Sequence, residues 1–241
     1  EVKTMRISDR VKAMQNSPIR KFNGVADAAK AEGVKIYHLN IGQPDIETPS
    51  VFWEAVKGFD QKVLAYAGSW GLPELQDAIV EYFKRFDMNL ERNDVLVTSG
   101  GSEALTLVFL SCINPGDEVI IPLPAFVCYP PLVELAGGKP VIINTTEKDK
   151  FKLTPELLKK YITPKTKMLI LCSPSNPTGS VYTKEELKEL ADVLAKYPQV
   201  FVVADEIYEH ISYVGKHESI AQFEEIRERV IIINGVSKAY A

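Results

Sequence analysis

Short apolar runs alternate with amphipathic segments from Asp94 onward, and this alternation is the feature that most constrains the fold. Each run has the length of a strand rather than of a helix. Strands that alternate with helices favour a mainly parallel sheet covered by helices on both faces. We therefore expect an α/β fold with three layers, α/β/α. The predicted strands are 95–98, 118–121, 140–143, 168–172, 200–204 and 230–233.

Amphipathic periodicity and the placement of Ser, Pro and Gly predict the helices. The first begins at Ser17-Pro18 and ends before Gly33, and a Gly/Pro-rich loop at 41–49 separates it from the next. A turn-rich stretch at 66–71 follows. The predicted helices are 17–32, 50–59, 73–86, 102–112, 126–135, 155–160 and 184–196.

Composition excludes several classes of protein. The 241 residues are 46% hydrophobic and 25% charged with a net charge of −4, which is ordinary for a globular protein. No Lys/Arg block is long enough to follow a nucleic-acid backbone, and no apolar run approaches the roughly 20 residues of a membrane span. We therefore expect neither nucleic acid nor a membrane as a partner.

Cysteines and histidines give little sign of a special site. Three cysteines in apolar contexts do not suggest a disulfide scaffold, and the first residues lack the apolar core of a signal peptide, so we expect a cytoplasmic protein. His38, His210 and His217 show no metal-ligand spacing, and we expect no metal.

Polar side chains follow three of the predicted strands directly. Asn176 follows 168–172, Asp205 and Tyr208 follow 200–204, and Lys238 follows 230–233. The carboxyl ends of parallel strands meet at one edge of a sheet, where ligands of open α/β sheets bind. An amide, a carboxylate, a phenol and an amine should therefore converge. A lysine that faces a carboxylate across a crevice suggests an aldehyde cofactor held as an imine.

Each of these residues has a chemical and a purely structural interpretation. Asp205 follows a run apolar enough to be buried and could pair with a protonated pyridine nitrogen, or it could cap a helix. Asn176, stiffened by flanking prolines, could donate to a phenolic oxygen, as could Tyr208, or Asn176 could form an Asx turn. Lys238 could be a nucleophile or an ordinary surface lysine.

Two further elements come earlier in the chain. Gly100, Gly101 and Ser102 join a predicted strand to a helix, which forms either an anion site or a plain turn capped by serine. Phe126 follows another strand and could stack on a planar heterocycle or pack in the core. Tyr129, one helical turn later, is equally ambiguous.

In this order, the motifs resemble those of the class I/II aminotransferases, the fold-type I enzymes that depend on pyridoxal 5′-phosphate, and aspartate aminotransferases in particular. The resemblance extends over essentially the whole chain. The matching motifs are Asn40-Ile41-Gly42-Gln43-Pro44-Asp45, Tyr66, Gly71-Leu72-Pro73-Glu74-Leu75, Gly100-Gly101-Ser102-Glu103-Ala104, Pro124-Ala125-Phe126, Ser173-Pro174-Ser175-Asn176-Pro177-Thr178-Gly179, Asp205-Glu206-Ile207-Tyr208 and Ser237-Lys238.

The resemblance implies a role for each matching residue. Lys238 would form the aldimine and then shuttle the substrate proton, as the catalytic residue. Asp205 would pair with the ring nitrogen. The other implied contacts are Asn176 and Tyr208 with the phenolic oxygen, Phe126 with the ring face, Gly101, Ser102 and Ser237 with the phosphate, Gly42 and Asn176 with the substrate, and Tyr66 with the phosphate of a neighbouring subunit.

The implied reaction is a ping-pong exchange of an amino group between an amino acid, aspartate as first guess, and a 2-oxo acid in a homodimer with shared sites. A lyase using the same aldimine is the alternative; a non-catalytic regulator is disfavoured because no DNA-binding helix-turn-helix precedes residue 30. We expect an N-terminal segment at 1–48 and an incomplete cofactor-binding large domain at 49–241.

Two departures from the family pattern stand out. Gly235 stands where relatives often have a hydroxyl that contacts the phosphate. The chain stops at Ala241, before the family's phosphate-binding and carboxylate-binding arginines and its small domain. We therefore expect a fragment that by itself lacks half of the substrate site.

Overall fold

The computed structural model describes residues 6–13 and 20–241. Within them, five strands form one sheet in the order β2-β1-β3-β4-β5, and every neighbouring pair is parallel. The strands are β1 (Glu118–Leu123), β2 (Lys139–Asn144), β3 (Thr166–Cys172), β4 (Phe201–Asp205) and β5 (Val230–Ile233). The helices are α1 (Asp9–Ala13), α2 (Asn23–Ala31), α3 (Ser50–Lys57), α4 (Pro73–Phe83), α5 (Gly101–Cys112), α6 (Tyr129–Leu135), α7 (Pro155–Tyr161) and α8 (Lys184–Leu194).

Side chains of each strand alternate between two hydrophobic cores, one on each face of the sheet. On β4, Val202 and Ala204 join the core beneath α7 and α8, whereas Val203 joins the core beneath α5 and α6. This period of two buries both faces of the sheet. The fold is therefore the expected three-layer α/β/α arrangement with a parallel sheet.

The long helix α8 illustrates how local sequence fixes an element. The Thr183 hydroxyl accepts from the Glu186 amide, and the Glu186 carboxylate accepts from the Thr183 amide, which forms a capping box. Lys152 binds the same carboxylate at 2.7 Å. This helix starts as the sequence predicts, at Lys184, and covers one face of β3 and β4.

Several predicted elements differ from the structure, and the helices predicted at 50–59, 73–86 and 184–196 end early, at Lys57, Phe83 and Leu194. Residues 95–98 are not a strand, because no strand pairs with them among the described residues; the Val97 amide instead donates to the Trp70 carbonyl at 3.0 Å. The helix predicted from 126 begins at Tyr129, where Pro130 and Pro131 fit only the first turn. The helix predicted at 17–32 begins at Asn23, and residues 17–19 lie outside the described residues.

The segment 20–72 contributes little to either core. No residue of α2 or α3 is buried, and many large apolar side chains are exposed, including Phe52, Trp53 and Tyr66. Several large apolar side chains exposed in one segment make it a candidate binding surface. Across the described residues, none of the helices has the length and apolarity that crossing a bilayer requires.

Candidate active site

The carboxyl edge of the sheet brings two of the predicted polar side chains, Asn176 and Tyr208, into contact. Strand register aligns Cys172 of β3 with Asp205 of β4, and Asp205 with Ile233 of β5. The loops that follow these strands therefore begin at the same level. The Asn176 amide donates to the Tyr208 phenol oxygen at 2.9 Å, as convergence of the two loops predicts.

Asp205 is the most unusual group at this edge. Asp205 is only 6% exposed. Burial raises the pKa of its carboxyl group, although two hydrogen bonds oppose the rise. The Tyr129 hydroxyl donates to Oδ2 at 2.5 Å, and the Ile207 amide donates to Oδ1 at 3.3 Å. Both donors are neutral, and no ion pair to Asp205 forms within residues 6–13 and 20–241.

Asp205 is not a helix cap. The next helical element is the 3-10 helix Glu209–Ile211, and its N-cap residue is Tyr208. The structural alternative for Asp205 is therefore wrong. What remains is a buried carboxylate with neutral donors and free lone pairs, which is the partner that a cationic ring nitrogen requires.

The start of α5 lies beside the carboxyl end of β5. Gly100 precedes the helix with φ of 97°, a conformation that favours glycine, and a Cβ on Gly101 would lie 3.6 Å from Ile233. Ser102 is exposed at the second position of the helix, and the N-cap residue is Gly100, so the serine-cap alternative is wrong. The free amides and this hydroxyl together suit an anion.

Phe126 and Tyr129 lie at the same edge, after β1. Their rings are 5.5 Å apart at 82°, an edge-to-face contact. Phe126 is half-buried against the core beneath α5 and α6, so one side of its ring packs in the protein. Tyr129 is almost fully buried and reaches Asp205 across the sheet.

Lys238 contacts a distant part of the chain. Its Nζ donates to the Gly42 carbonyl at 3.3 Å, which joins the loop after β5 to the N-terminal loop predicted to lie near substrate. Ser237 and Gly42 are exposed. Tyr66 is fully exposed and takes no part in these contacts.

A second polar group lies behind the loop that follows β4. Glu206 binds the His217 ring at 3.0 Å and accepts from the Ser219 hydroxyl at 2.6 Å. Burial lowers the pKa of His217, but the Glu206 carboxylate, together with those of Glu209 and Glu218, raises it on balance. Glu206, Glu209 and His217 are close enough together to hold a metal ion. Histidine spacing did not reveal this group because the loop between β4 and β5 folds back to form it.

Comparison with known proteins identifies the family. Residues 34–241 match the family model described as aminotransferase class I and II. The chain belongs to this family. The family predicted from the sequence motifs is therefore confirmed. Class I and II aminotransferases depend on pyridoxal 5′-phosphate.

Three relatives of this aminotransferase chain illustrate the match. It is 44% identical over 240 residues to the aspartate aminotransferase of Bacillus sp. (strain YM-2) and 41% identical over 241 residues to the aspartate/prephenate aminotransferase of Nitrosomonas europaea. Each alignment covers 98% of this chain and 61% of the relative. The structure of Thermus thermophilus aspartate aminotransferase with maleate matches with a TM-score of 0.91 and 39% identity, over 98% of this chain and 62% of that one. The chain therefore spans about three-fifths of the length of these relatives.

Proposed function

We propose that the protein is an aminotransferase that exchanges an amino group between an acidic amino acid, aspartate foremost, and a 2-oxo acid, with pyridoxal 5′-phosphate as cofactor. The observation that carries this proposal is Asp205, a buried carboxylate with only neutral donors at the ligand-binding edge of a parallel sheet. Such a group costs stability unless a cation pairs with it. A protonated pyridine ring supplies that cation.

The residues at the edge fit the cofactor. Asp205 would hold the ring nitrogen, and the Asn176–Tyr208 pair would donate to the phenolic oxygen, because burial raises the pKa of Tyr208 and keeps its hydroxyl protonated. Phe126 would cover the ring face. Three residues would hold the phosphate: Gly101, Ser102 and Ser237.

Lys238 is the proposed catalytic residue. When bound, the cofactor supplies an electron-poor ring that takes up the electron pair left when the Cα–H bond of the amino acid breaks. The Lys238 amine would take that proton from the substrate Cα as a base and then, as an acid, give it to carbon C4′ of the cofactor, on the other side of the shared nitrogen. Release of one 2-oxo acid and entry of a second reverses the sequence, which gives ping-pong exchange.

The choice of substrate rests on the relatives. Aspartate is the substrate named for several of them, and maleate, bound in the Thermus thermophilus structure, is likewise a dicarboxylic acid. Gly42 and Asn176 would contact the substrate, and the Lys238–Gly42 contact supports a position for Gly42 beside the reacting amine. We further propose that 1–48 forms an N-terminal segment and 49–241 the large, cofactor-binding domain.

A homodimer is the proposed assembly. The exposed apolar side chains of 20–72 support a surface covered by a second copy, and fully exposed Tyr66 could reach the phosphate bound to that copy. Cys112, Cys128 and Cys172 are all free thiols, which supports a reducing compartment, the cytoplasm.

The proposal is tested on the full-length natural protein. Pyridoxal 5′-phosphate is added, borohydride fixes any carbon–nitrogen double bond, and peptide mass spectrometry locates the modified lysine. Lys238 should carry the cofactor, and Lys238→Ala should carry none, whereas exposed Lys216→Ala should behave as the wild type does. Cofactor on another lysine would overturn the assignment of Lys238.

Turnover separates the proposed reaction from a lyase reaction. With aspartate and 2-oxoglutarate, the proposal predicts oxaloacetate and glutamate in equal amounts. Release of ammonia or pyruvate without glutamate would indicate elimination or decarboxylation instead.

A further inference from the structure

We propose that Tyr129 is a positioning residue that orients the Asp205 carboxylate toward the cofactor ring nitrogen. This inference rests on the proposed function, since it assigns a partner to the residue that would bind the ring. The motifs of the chain give Tyr129 no such role, because its sequence neighbourhood is only that of an aromatic residue at the start of a helix.

The geometry of the carboxylate carries the inference. Tyr129 Oη donates to Oδ2 at 2.5 Å, a short bond for an O–H donor to a carboxylate, and the Ile207 amide donates to Oδ1 at 3.3 Å. Each oxygen of Asp205 thus has one fixed donor, and each retains lone pairs for a ligand. The stronger of the two donors is the phenol, so it chiefly determines the plane of the carboxylate.

Tyr129 is built to remain in this position. The residue is 1% exposed at the first position of α6, and its ring packs edge-to-face against Phe126. Burial, together with the nearby Asp205 charge, raises the pKa of the Tyr129 phenol, so it stays a protonated donor. The adjacent Cys172 thiol is neutral as well, because burial raises its pKa to about 12.

The electrostatic consequence follows from the direction of each effect. Burial raises the pKa of Asp205, and the hydrogen bond from Tyr129 is the largest influence that lowers it. A carboxylate of lower basicity leaves the shared proton on the ring nitrogen rather than taking it. Tyr129 thereby keeps the bound ring cationic, which is the state that withdraws electrons.

The test compares two buried tyrosines in the full-length protein. Tyr129→Phe removes only the hydroxyl that binds Asp205. Tyr182→Phe is the matched control, because Tyr182 is also buried and lines the same cavity of about 20 Å³, but its hydroxyl accepts from the Leu153 amide at 2.6 Å. Two quantities are measured: the dissociation constant of pyridoxal 5′-phosphate and the ¹⁵N chemical shift of its labelled ring nitrogen.

In Tyr129→Phe we expect cofactor affinity to fall about tenfold, the effect of one lost hydrogen bond to a charged group. The ¹⁵N shift should move toward that of unprotonated pyridine. Tyr182→Phe should leave both quantities at the wild-type values. If Tyr129→Phe matches the wild type in both, or if the two variants change alike, the inference is wrong.

A second variant keeps the test decisive if Tyr129→Phe folds poorly. Tyr129→3-fluorotyrosine retains the shape and makes the phenol a stronger donor, so the ¹⁵N shift should move further toward the protonated ring. An unchanged shift would also overturn the inference. Wild-type protein that binds no cofactor would instead refute the proposed function, and with it the premise of this inference.

Discussion

Replacing Asp205 by Asn should have opposite effects on the cofactor-free protein and on cofactor binding. The pKa of Asp205 is raised in the fold by burial, so the contribution of this group to stability is full below its unfolded pKa of about 3.9 and is lost as the pH rises through the folded value. At neutral pH the ionised carboxylate therefore destabilises the cofactor-free fold. Asp205→Asn removes this destabilisation, because the Asn side chain carries no charge.

The magnitudes follow from the contacts. An Asn side chain keeps one oxygen for the short bond from Tyr129, but its NH₂ group then faces the Ile207 amide, whose bond at 3.3 Å is lost at about 1 kcal/mol. The variant should thus be about 1 kcal/mol less stable than the wild type near pH 4, and the deficit should shrink as the pH rises. Loss of the charged partner of a cationic ring should cost about 3–5 kcal/mol of cofactor affinity, at least a hundredfold.

Urea unfolding of the cofactor-free protein from pH 4 to pH 8 measures the first effect, and titration with pyridoxal 5′-phosphate measures the second. Asp77→Asn is the control in which the change of stability with pH should have the opposite sign, because the hydrogen bond from Arg92 lowers the pKa of exposed Asp77. Its contribution is present above the unfolded pKa and is lost as the pH falls. If Asp205→Asn has the pH slope of the wild type or binds cofactor normally, the reasoning about Asp205 is refuted.

Two stability predictions test the scaffold behind the site. The Arg229 guanidinium donates to three backbone carbonyls at 2.6–3.0 Å, so Arg229→Met should lower the free energy of unfolding, measured in urea, by about 3 kcal/mol. Arg227→Met loses two such bonds and should lower it by less. Equal losses in the two variants would contradict this account. Gly71 has φ of +114°, and a Cβ there would lie 2.5 Å from a methyl of Val97. Gly71→Ala should therefore lower the free energy of unfolding by about 3 kcal/mol in the same assay. Gly24→Ala, in helix α2 with nothing within 4 Å, should gain about 0.5 kcal/mol, and similar effects of the two alanines would show that close approach is not what selects glycine at 71.

Elements that local sequence determines were predictable, and those that depend on distant partners were not. β5 was predicted as found, because its apolar run lies between polar residues and β4 pairs with it along its length. The segment 95–98 is also rich in apolar residues but has no strand beside it among the described residues, and the Val97 amide bonds to Trp70 instead. A strand exists only through its neighbour, and that information is not local.

The same distinction applies to the site. Convergence of Asn176 and Tyr208 followed from strand ends alone, because parallel strands bring their carboxyl ends to one edge. The bond from Tyr129 to Asp205 joins residues 76 apart in the chain. No local pattern distinguishes a tyrosine that fills the core from one that also binds a carboxylate, and the predicted start of α6 at 126 obscured which ring faces the sheet.

The placement of Asp205 is difficult to explain by stability alone. Its partners in register, Cys172 and Ile233, offer no charge, no helix begins at the residue, and its stronger donor is a neutral phenol. An apolar residue there would spare the fold the cost of a buried carboxylate. Groups with such strongly shifted pKa values concentrate at functional sites, where a bound ligand stabilises them. Since Asn176, Tyr208 and the start of α5 surround the same edge, we infer that a cation bound there stabilises the carboxylate. The difference between wild type and Asp205→Asn in how stability changes with pH measures the destabilisation directly.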